Sequence, residues 1–478
     1  MARILFGSMP NTGHVRPGLD LARELVAAGH EVTWYTGSAY GGSVRVTGAA
    51  FVPMSPDRDF DDDTLNRMAA EANARPGLPS LLWGLRNFFI APVPAWVAEL
   101  QAMAAWLHPD VIVVEHGFIA GLLVAEKLGI PSVAFSTTPL VLSSVDTAPF
   151  GTGLAPSRTP LGRARNRALN FVFHHVVFVN LQEAANNVRV EVGLDPRSSF
   201  FLDWTVELAT RYLAATIPEF EYPRSDLPAQ VRFIGAMLPP TPAGWVSPPW
   251  WADVAAARRA GRPVIVLTQG TLATDAHKLL LPAITGLAGL DALVIGTTGG
   301  PDPDQVLPAA ERPANLRLER FIPFAALLPQ ADLLVTNGGY CGVQQALSAG
   351  VPLVVAGRTE DKVEVSARAL GGRRGVPAGR LPLVRAGGSG RASGAHRRRL
   401  PRTRTRTGRA LRPLPRHCGG CARHRRGGGG EPRAARRPVR GRISTLIRPT
   451  KVDLRPLTGR AGQSCSLRAA RLRGAPTR

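Results

Sequence analysis

Residues 332–368 read DLLVTNGGYCGVQQALSAGVPLVVAGRTEDKVEVSAR, and the fold follows from them. DLLVT (332–336) is a short apolar run rich in β-branched residues, which predicts a buried strand. NGGYCG (337–342) is a glycine-dense turn, and VQQALSAG (343–350) is a short helix stopped by Gly350. VPLVVAG (351–357) is a second buried strand, followed by a loop with Glu360, Asp361 and Lys362 at its tip. Strand, glycine turn, helix and strand make a βαβ unit. Glycines between strand and helix let backbone N–H groups approach an anion at the helix N-terminus. Ligands of such sheets sit beyond the carboxyl ends of the strands, so Asn337-Gly338-Gly339 and Glu360-Asp361-Lys362 are expected to face one crevice.

This stretch resembles the donor-sugar signature of the family 1 (UGT-like) glycosyltransferases, in particular actinobacterial macrolide- and rhamnosyl-type members. Gly338-Gly339, Ala346-Leu347, Gly350-Val351-Pro352 and Asp361 carry the resemblance. It implies an α/β enzyme of GT-B fold, with two Rossmann-like domains facing across a cleft. It implies a hexosyltransferase whose co-substrate is a UDP- or dTDP-linked sugar, with no cofactor and no metal, and a hydrophobic hydroxylated acceptor. By the same resemblance Asn337, Gly338 and Gly339 meet the diphosphate, and Glu360, Asp361 and Lys362 meet the sugar. Three positions depart from the family pattern: many members carry His at 337, Gln at 362 and a small residue at 341, where this chain has Asn, Lys and Cys.

Composition divides the 478 residues in two. The net charge of +23 suggests a nucleic-acid partner until it is split. Residues 371–478 hold 30 of the 58 Lys and Arg but 2 of the 35 Asp and Glu, so the tail stands near +28 and residues 1–370 near −5. All 30 aromatics precede residue 371. Arg, Gly, Ala and Pro supply 70 of the tail's 108 residues, a composition unable to offset its own ordering entropy by burial. Those four residues share codons beginning with two G or C bases, so the tail reads as an out-of-frame translation of a GC-rich gene from near Leu370. The alternative is a genuine disordered basic extension. Cys418 and Cys421, with His417 and His424 nearby, form a single CxxC without a second pair, and chance explains it better than zinc. No basic-then-apolar leader opens the chain and no uninterrupted apolar run reaches about 18 residues, so a cytoplasmic protein is expected.

From the N-terminus, Arg3–Phe6 predicts a strand, Gly7–Arg16 a polar loop, and PGLDLARELVAAG a helix with Pro17 in its first turn and an end at Gly29. EVTWYTG is the next strand. This is a Rossmann-like opening without GxGxxG, which argues against NAD. In its place stands Asn11-Thr12-Gly13-His14-Val15-Arg16-Pro17. The family's Gly-His-x-x-Pro motif gives His14 the role of general base, and an imidazole titrating near neutrality suits it. The other reading is a loop histidine capping the first helix. HPDVIVVEHGF (108–118) is a buried strand ending at Glu115, which reads as the partner that orients His14, with His116 as a competitor, or as a strand-end acid facing solvent. Residues 53–100 run irregularly, and Trp83, Phe88, Phe89 and Trp96 read equally as an acceptor pocket or as core.

In the second half, Thr271 follows the strand PVIVLT and matches the hydroxyl that the family places on the diphosphate. By the same resemblance Phe321 matches the stacking face for the base and the Ile322 backbone the reader of its edge; the other reading is an aromatic packed under the helix FAALLP. The expected domains are 1–222 for the acceptor, 223–258 as a connection that includes one short strand at 231–235, and 259–369 for the nucleotide sugar. The tail is 370–478. The function expected is inverting transfer of a sugar from a nucleoside diphosphate to a hydroxyl of a small molecule or lipid. A second domain cut short near residue 369 allows an inactive form as well. Two rivals stand beside it: a nucleotide-sugar epimerase of the same fold, and non-specific nucleic-acid binding through the tail, which lacks aromatics for stacking.

Overall fold

Apolar runs too short for helices and bounded by turn residues form two parallel sheets, the pattern of strands covered on both faces. The computed structural model describes residues 1–71, 77–242, 244–270, 275–357 and 361–371. The first sheet comprises β1 (Arg3–Gly7), β2 (Glu31–Thr36), β3 (Ala50–Pro53), β4 (Val111–Glu115), β5 (Ser132–Phe135), β6 (Arg211–Ala214) and β7 (Val231–Phe233). Their spatial order is β3-β2-β1-β4-β5-β6-β7, and every pairing is parallel. The second sheet comprises β8 (Val264–Thr268), β9 (Leu293–Thr297), β10 (Leu316–Glu319), β11 (Leu333–Thr336) and β12 (Leu353–Val355), in the order β10-β9-β8-β11-β12. Both belong to one compact unit. The central strands carry the cores: Leu5, Phe6 and Val114 are fully buried in the first domain, Val264, Val266 and Leu334 in the second. Each such side chain stabilises the fold by about 1.5–3 kcal/mol.

Several elements differ from the sequence reading. The first helix begins at Thr12 rather than at Pro17, because buried Asn11 caps it: the Asn11 Oδ1 accepts the His14 N–H at 3.1 Å. His14 therefore lies in a helical first turn and not in a loop. Pro17 falls one turn further in, where the Gly13 carbonyl loses its helical donor. Residues 53–100 are largely helical, with helices at Asp62–Glu71, Leu78–Gly84 and Val93–Leu107, the last two joined by a π-turn at Leu85–Ile90. Pro79, Pro92 and Pro94 obscure the period. By length and composition Leu78–Leu107 could cross a membrane, but Ile90, Val93, Trp96, Val97 and Leu100 face the first core. The strand at 231–233 pairs with β6, so the first sheet extends into the segment read as a connection. Trp245, Trp250 and Trp251 from that segment pack on the second core. The helix after the glycine turn starts at Tyr340, three residues before the expected Val343.

The helix Lys362–Gly371 joins the domains. It follows the second sheet, and its Glu364 Oε1 accepts the N–H groups of Gly151 and Gly153 at 2.9 Å each. Arg368 donates to Glu221 Oε1 at 2.6 and 2.9 Å and to Glu364 Oε2 at 2.7 Å, with its guanidinium 3.9 Å from the Tyr222 ring. Arg224 adds a contact to Glu221 at 3.2 Å, and all four charged side chains are buried. Beside them Phe220 packs with Tyr340, Val343 and Val365. Residues 372–478, with the Cys418/Cys421 motif, lie outside the described residues.

Candidate active site

Register alone brings two loops together. Gly7 of β1 lies opposite Val114 of β4, so the segments leaving both strands emerge side by side at the carboxyl edge. His14 comes from the first and Glu115 ends the second. His14 Nδ1 stands 2.7 Å from Glu115 Oε2, and neither atom has another hydrogen-bond partner among the described residues. Glu115 is fully buried and tied on its other oxygen: Oε1 accepts the Gly117 N–H at 2.8 Å and the Thr137 hydroxyl at 3.2 Å. His116 Nδ1 lies 2.8 Å from the same Oε1, so two imidazoles flank one carboxylate, their rings 6.2 Å apart and nearly parallel.

The fields follow from these contacts. Burial lowers the His14 pKa, but the charge and hydrogen bond of Glu115 outweigh it, with smaller help from Asp361 and Asp62, so the net shift is upward from 6.5. For Glu115, burial alone would raise the pKa, yet the two histidines hold its carboxyl well below the usual range. Two supports carried no local signal in the sequence. At Gly117 a side chain would meet Phe89 Cε1 at 3.1 Å and Glu115 Oε2 and His14 Cε1 at 3.2 Å, so any larger residue presses on the pair. Asp62 accepts the Thr12 N–H at 3.2 and 3.3 Å, a negative charge at the positive end of the His14 helix.

The second domain supplies the facing wall. Gly338 has φ +95°, and a Cβ there would stand 2.6 Å from Val355 Cγ1, so the turn after β11 needs glycine twice over. Its N–H donates to Thr336 Oγ1 at 3.1 Å. Asn337 is buried, and its side-chain amide donates to the Gln269 carbonyl, which couples this turn to the one after β8. Gly339 caps the helix Tyr340–Ser348. Asp361 acts on both walls: its charge helps raise His14 of the first domain, and it adds to the burial that pushes the Cys341 thiol up to about 11. Lys362 opens the helix Lys362–Gly371 and is buried, rather than sitting at a loop tip. Phe321 is 49% exposed just past β10, while the Ile322 side chain is buried in the second core. Thr271 and Glu360 lie outside the described residues.

Of the four candidate acceptor aromatics, Phe89 comes to the site, its ring 6.1 Å from that of His14, while Trp96 is buried in the first core. Phe88 is buried between Phe60 and Trp83, at 5.4 and 5.3 Å, which is core packing, and Trp83 is half-buried beside it. Among the described residues no group of three His, Cys, Asp or Glu is placed to hold a metal ion.

Two α/β domains, one with a histidine–carboxylate pair and the other with Asp361 within its field, have the architecture of a group-transfer enzyme. No protein-family model matches the chain. Over 375 residues it is 43% identical to 4'-demethylrebeccamycin synthase of Lentzea aerocolonigenes, covering 78% of this chain and 87% of that one. It is 33% identical over 380 residues to UDP-glycosyltransferase 2 of Phaeomoniella chlamydospora, covering 77% and 82%. The crystal structure of the kitacinnamycin glycotransferase superposes with a TM-score of 0.56 at 23% identity, over 78% of this chain and 85% of that one, which is a likeness of fold. The chain belongs to the UDP-glycosyltransferase-like family of GT-B glycosyltransferases. Neither the epimerase nor the nucleic-acid reading finds support in these relatives.

Proposed function

We propose that this glycosyltransferase is an inverting enzyme that moves a hexose from a UDP- or dTDP-linked donor to a hydroxyl of a hydrophobic acceptor. The observation that carries it is His14 set 2.7 Å from a buried carboxylate and within the field of Asp361 from the opposite domain. Glu115 beside Nδ1 keeps a proton there, which leaves the lone pair on Nε2. The acceptor O–H gives its proton to Nε2 as its oxygen forms a bond to the anomeric carbon. On the opposite face the bond from that carbon to the diphosphate oxygen breaks, and its electron pair leaves with the diphosphate. Attack opposite the leaving group inverts the centre, and Glu115 stabilises the imidazolium. The Gly338-Gly339 turn and the N-terminus of the helix Tyr340–Ser348 would meet the leaving charge with fixed dipoles, together with the Thr271 hydroxyl. Asn337 positions that turn through its bond to Gln269. Glu360, Asp361 and Lys362 would hold the sugar, Phe321 and the Ile322 backbone the base, and Phe89 the acceptor, with Trp83 and Phe88 behind it.

The likeness to a protein named 4'-demethylrebeccamycin synthase favours a secondary-metabolite acceptor. The apolar helix Leu78–Leu107 packs on the core of the first domain, which argues against its being a membrane span. We also propose that the Arg- and Gly-rich tail is out of frame, and resequencing codons 360–375 tests it: an intact frame in the gene refutes it. For the reaction, a panel of UDP- and dTDP-sugars is offered to the full chain with aromatic and macrolide alcohols. The expected result is nucleoside diphosphate released only when acceptor is present, and a product whose anomeric configuration, by NMR, is opposite to the donor's. Retained configuration, or equal release without acceptor, overturns the reading.

A further inference from the structure

The field that suits His14 opposes the donor. Glu115, Asp361 and Asp62 all place negative charge around it, and a nucleoside diphosphate brings more. The described part of the cradle answers mainly with dipoles. Asn337 is uncharged and its amide already donates to Gln269, and Lys362 is buried behind Gly338. A cation stands ready on the other wall. Arg16 is exposed, two residues beyond His14 on the same helix, and its guanidinium carbon lies 5.0 Å from the centroid of the Phe321 ring. This contact joins the first domain to the second.

The place of Phe321 gives the contact its meaning. It is a half-exposed aromatic at the carboxyl edge of β10, three positions from β11 in the sheet. At 4.7–4.9 Å per strand that is roughly 14 Å from the glycine turn, the reach of an extended nucleoside diphosphate. A base laid on Phe321 and a phosphate at Gly338 would therefore be bridged by the rest of the nucleotide. The base and Arg16 compete for one ring face. The contest favours the nucleotide, because a cation over an exposed ring is held more weakly than the same cation hydrogen-bonded to phosphate.

We propose that Arg16 is a donor-binding residue supplied by the first domain. It rests on Phe321 in the free protein, yields that face to the base, and turns its guanidinium onto the diphosphate, where it offsets the acidic field and the charge of the leaving group. The proposal rests on the transferase reading above. It ties donor arrival to the helix that carries His14.

Calorimetric titration of the full chain and of Arg16→Gln with UDP and dTDP, at low and high salt, tests it, with ligand-detected NMR for uridine and thymidine. Gln keeps helix propensity at an exposed position, and circular dichroism checks the fold. The expected result is diphosphate affinity weakened about tenfold or more with a shallower salt dependence. Nucleoside affinity should be unchanged or tighter, since the ring face has been vacated. Arg16→Lys, which keeps the charge, should recover most of the loss. Diphosphate affinity within twofold of wild type overturns the proposal. So does a nucleoside that loses as much as the diphosphate, or a Lys variant no better than Gln. If wild type binds neither diphosphate, the transferase reading fails with it, a different result from any of these.

Discussion

At the scale of single residues, the proposed base is tuned by opposed effects. Burial lowers the His14 pKa and Glu115 raises it past 6.5, so a neutral imidazole requires a pH above the ordinary histidine range. The acid limb of kcat/KM is therefore expected to inflect above 6.5, and Glu115→Gln, which leaves burial without its main opponent, should move the inflection lower. A pH–rate profile of both proteins checks this, and an unmoved limb would detach Glu115 from the titrating group. His14→Ala is expected to lower turnover by about 10²–10⁴ with donor affinity retained, the scale of a positioned base. That Glu115 ends a strand was legible and the family resemblance made it the partner of His14, but the parallel pairing of β1 with β4 that brings the two together is tertiary. Gly117 and Asp62 were not legible. Their importance is a contact with His14 or its helix, and nothing in VEHGF or FDDDTL marks it.

At the scale of elements, the loop after β5 is anchored through Asp203, whose Oδ1 accepts the Ser143 N–H at 2.8 Å. Burial pushes this carboxyl up to about 6 despite that bond. The sign is that of a raised acid: the folded state takes up the proton more readily than the unfolded one, so ionised Asp203 costs stability as pH rises from about 4 through 6. Asp203→Asn keeps the acceptor and removes the charge. It is expected to stabilise the protein at pH 7.5 by about 2–3 kcal/mol, the free energy that separates an ordinary carboxyl from one that titrates near 6, and the gain should vanish at pH 4. Thermal melts at the two pH values decide, and an equal effect at both would assign it to packing. Elements also differ in legibility. The strands β1, β2, β4, β8, β11 and β12 were readable as apolar runs. The helices across 62–107 were not, because three prolines break the pattern while tertiary packing of Trp96, Val97 and Leu100 stabilises it.

At the scale of the whole molecule, the described joint between domains is a buried set of two acids and two arginines around Arg368 and Glu221. Removing Arg368 leaves buried Glu364 without a cation and Glu221 with Arg224 alone, so Arg368→Ala is expected to destabilise by about 3 kcal/mol. Urea unfolding should show the two domains separating into distinct transitions, and a single transition at the wild-type midpoint would refute the role. The helix that carries Arg368 begins beside Asp361, so the same segment serves the joint and the crevice. By itself the sequence determined the βαβ alternation, the charge break near residue 370, and the glycine turn, since periodicity, composition and φ preference are local properties. Tertiary structure alone decided which carboxylates share the field of His14, that Arg16 reaches Phe321, and that Glu221 and Arg368, 147 residues apart, meet away from water. Pairings over such separations depend on where the sheets place their edges and on what burial does to charge, and neither is written in any single stretch of chain.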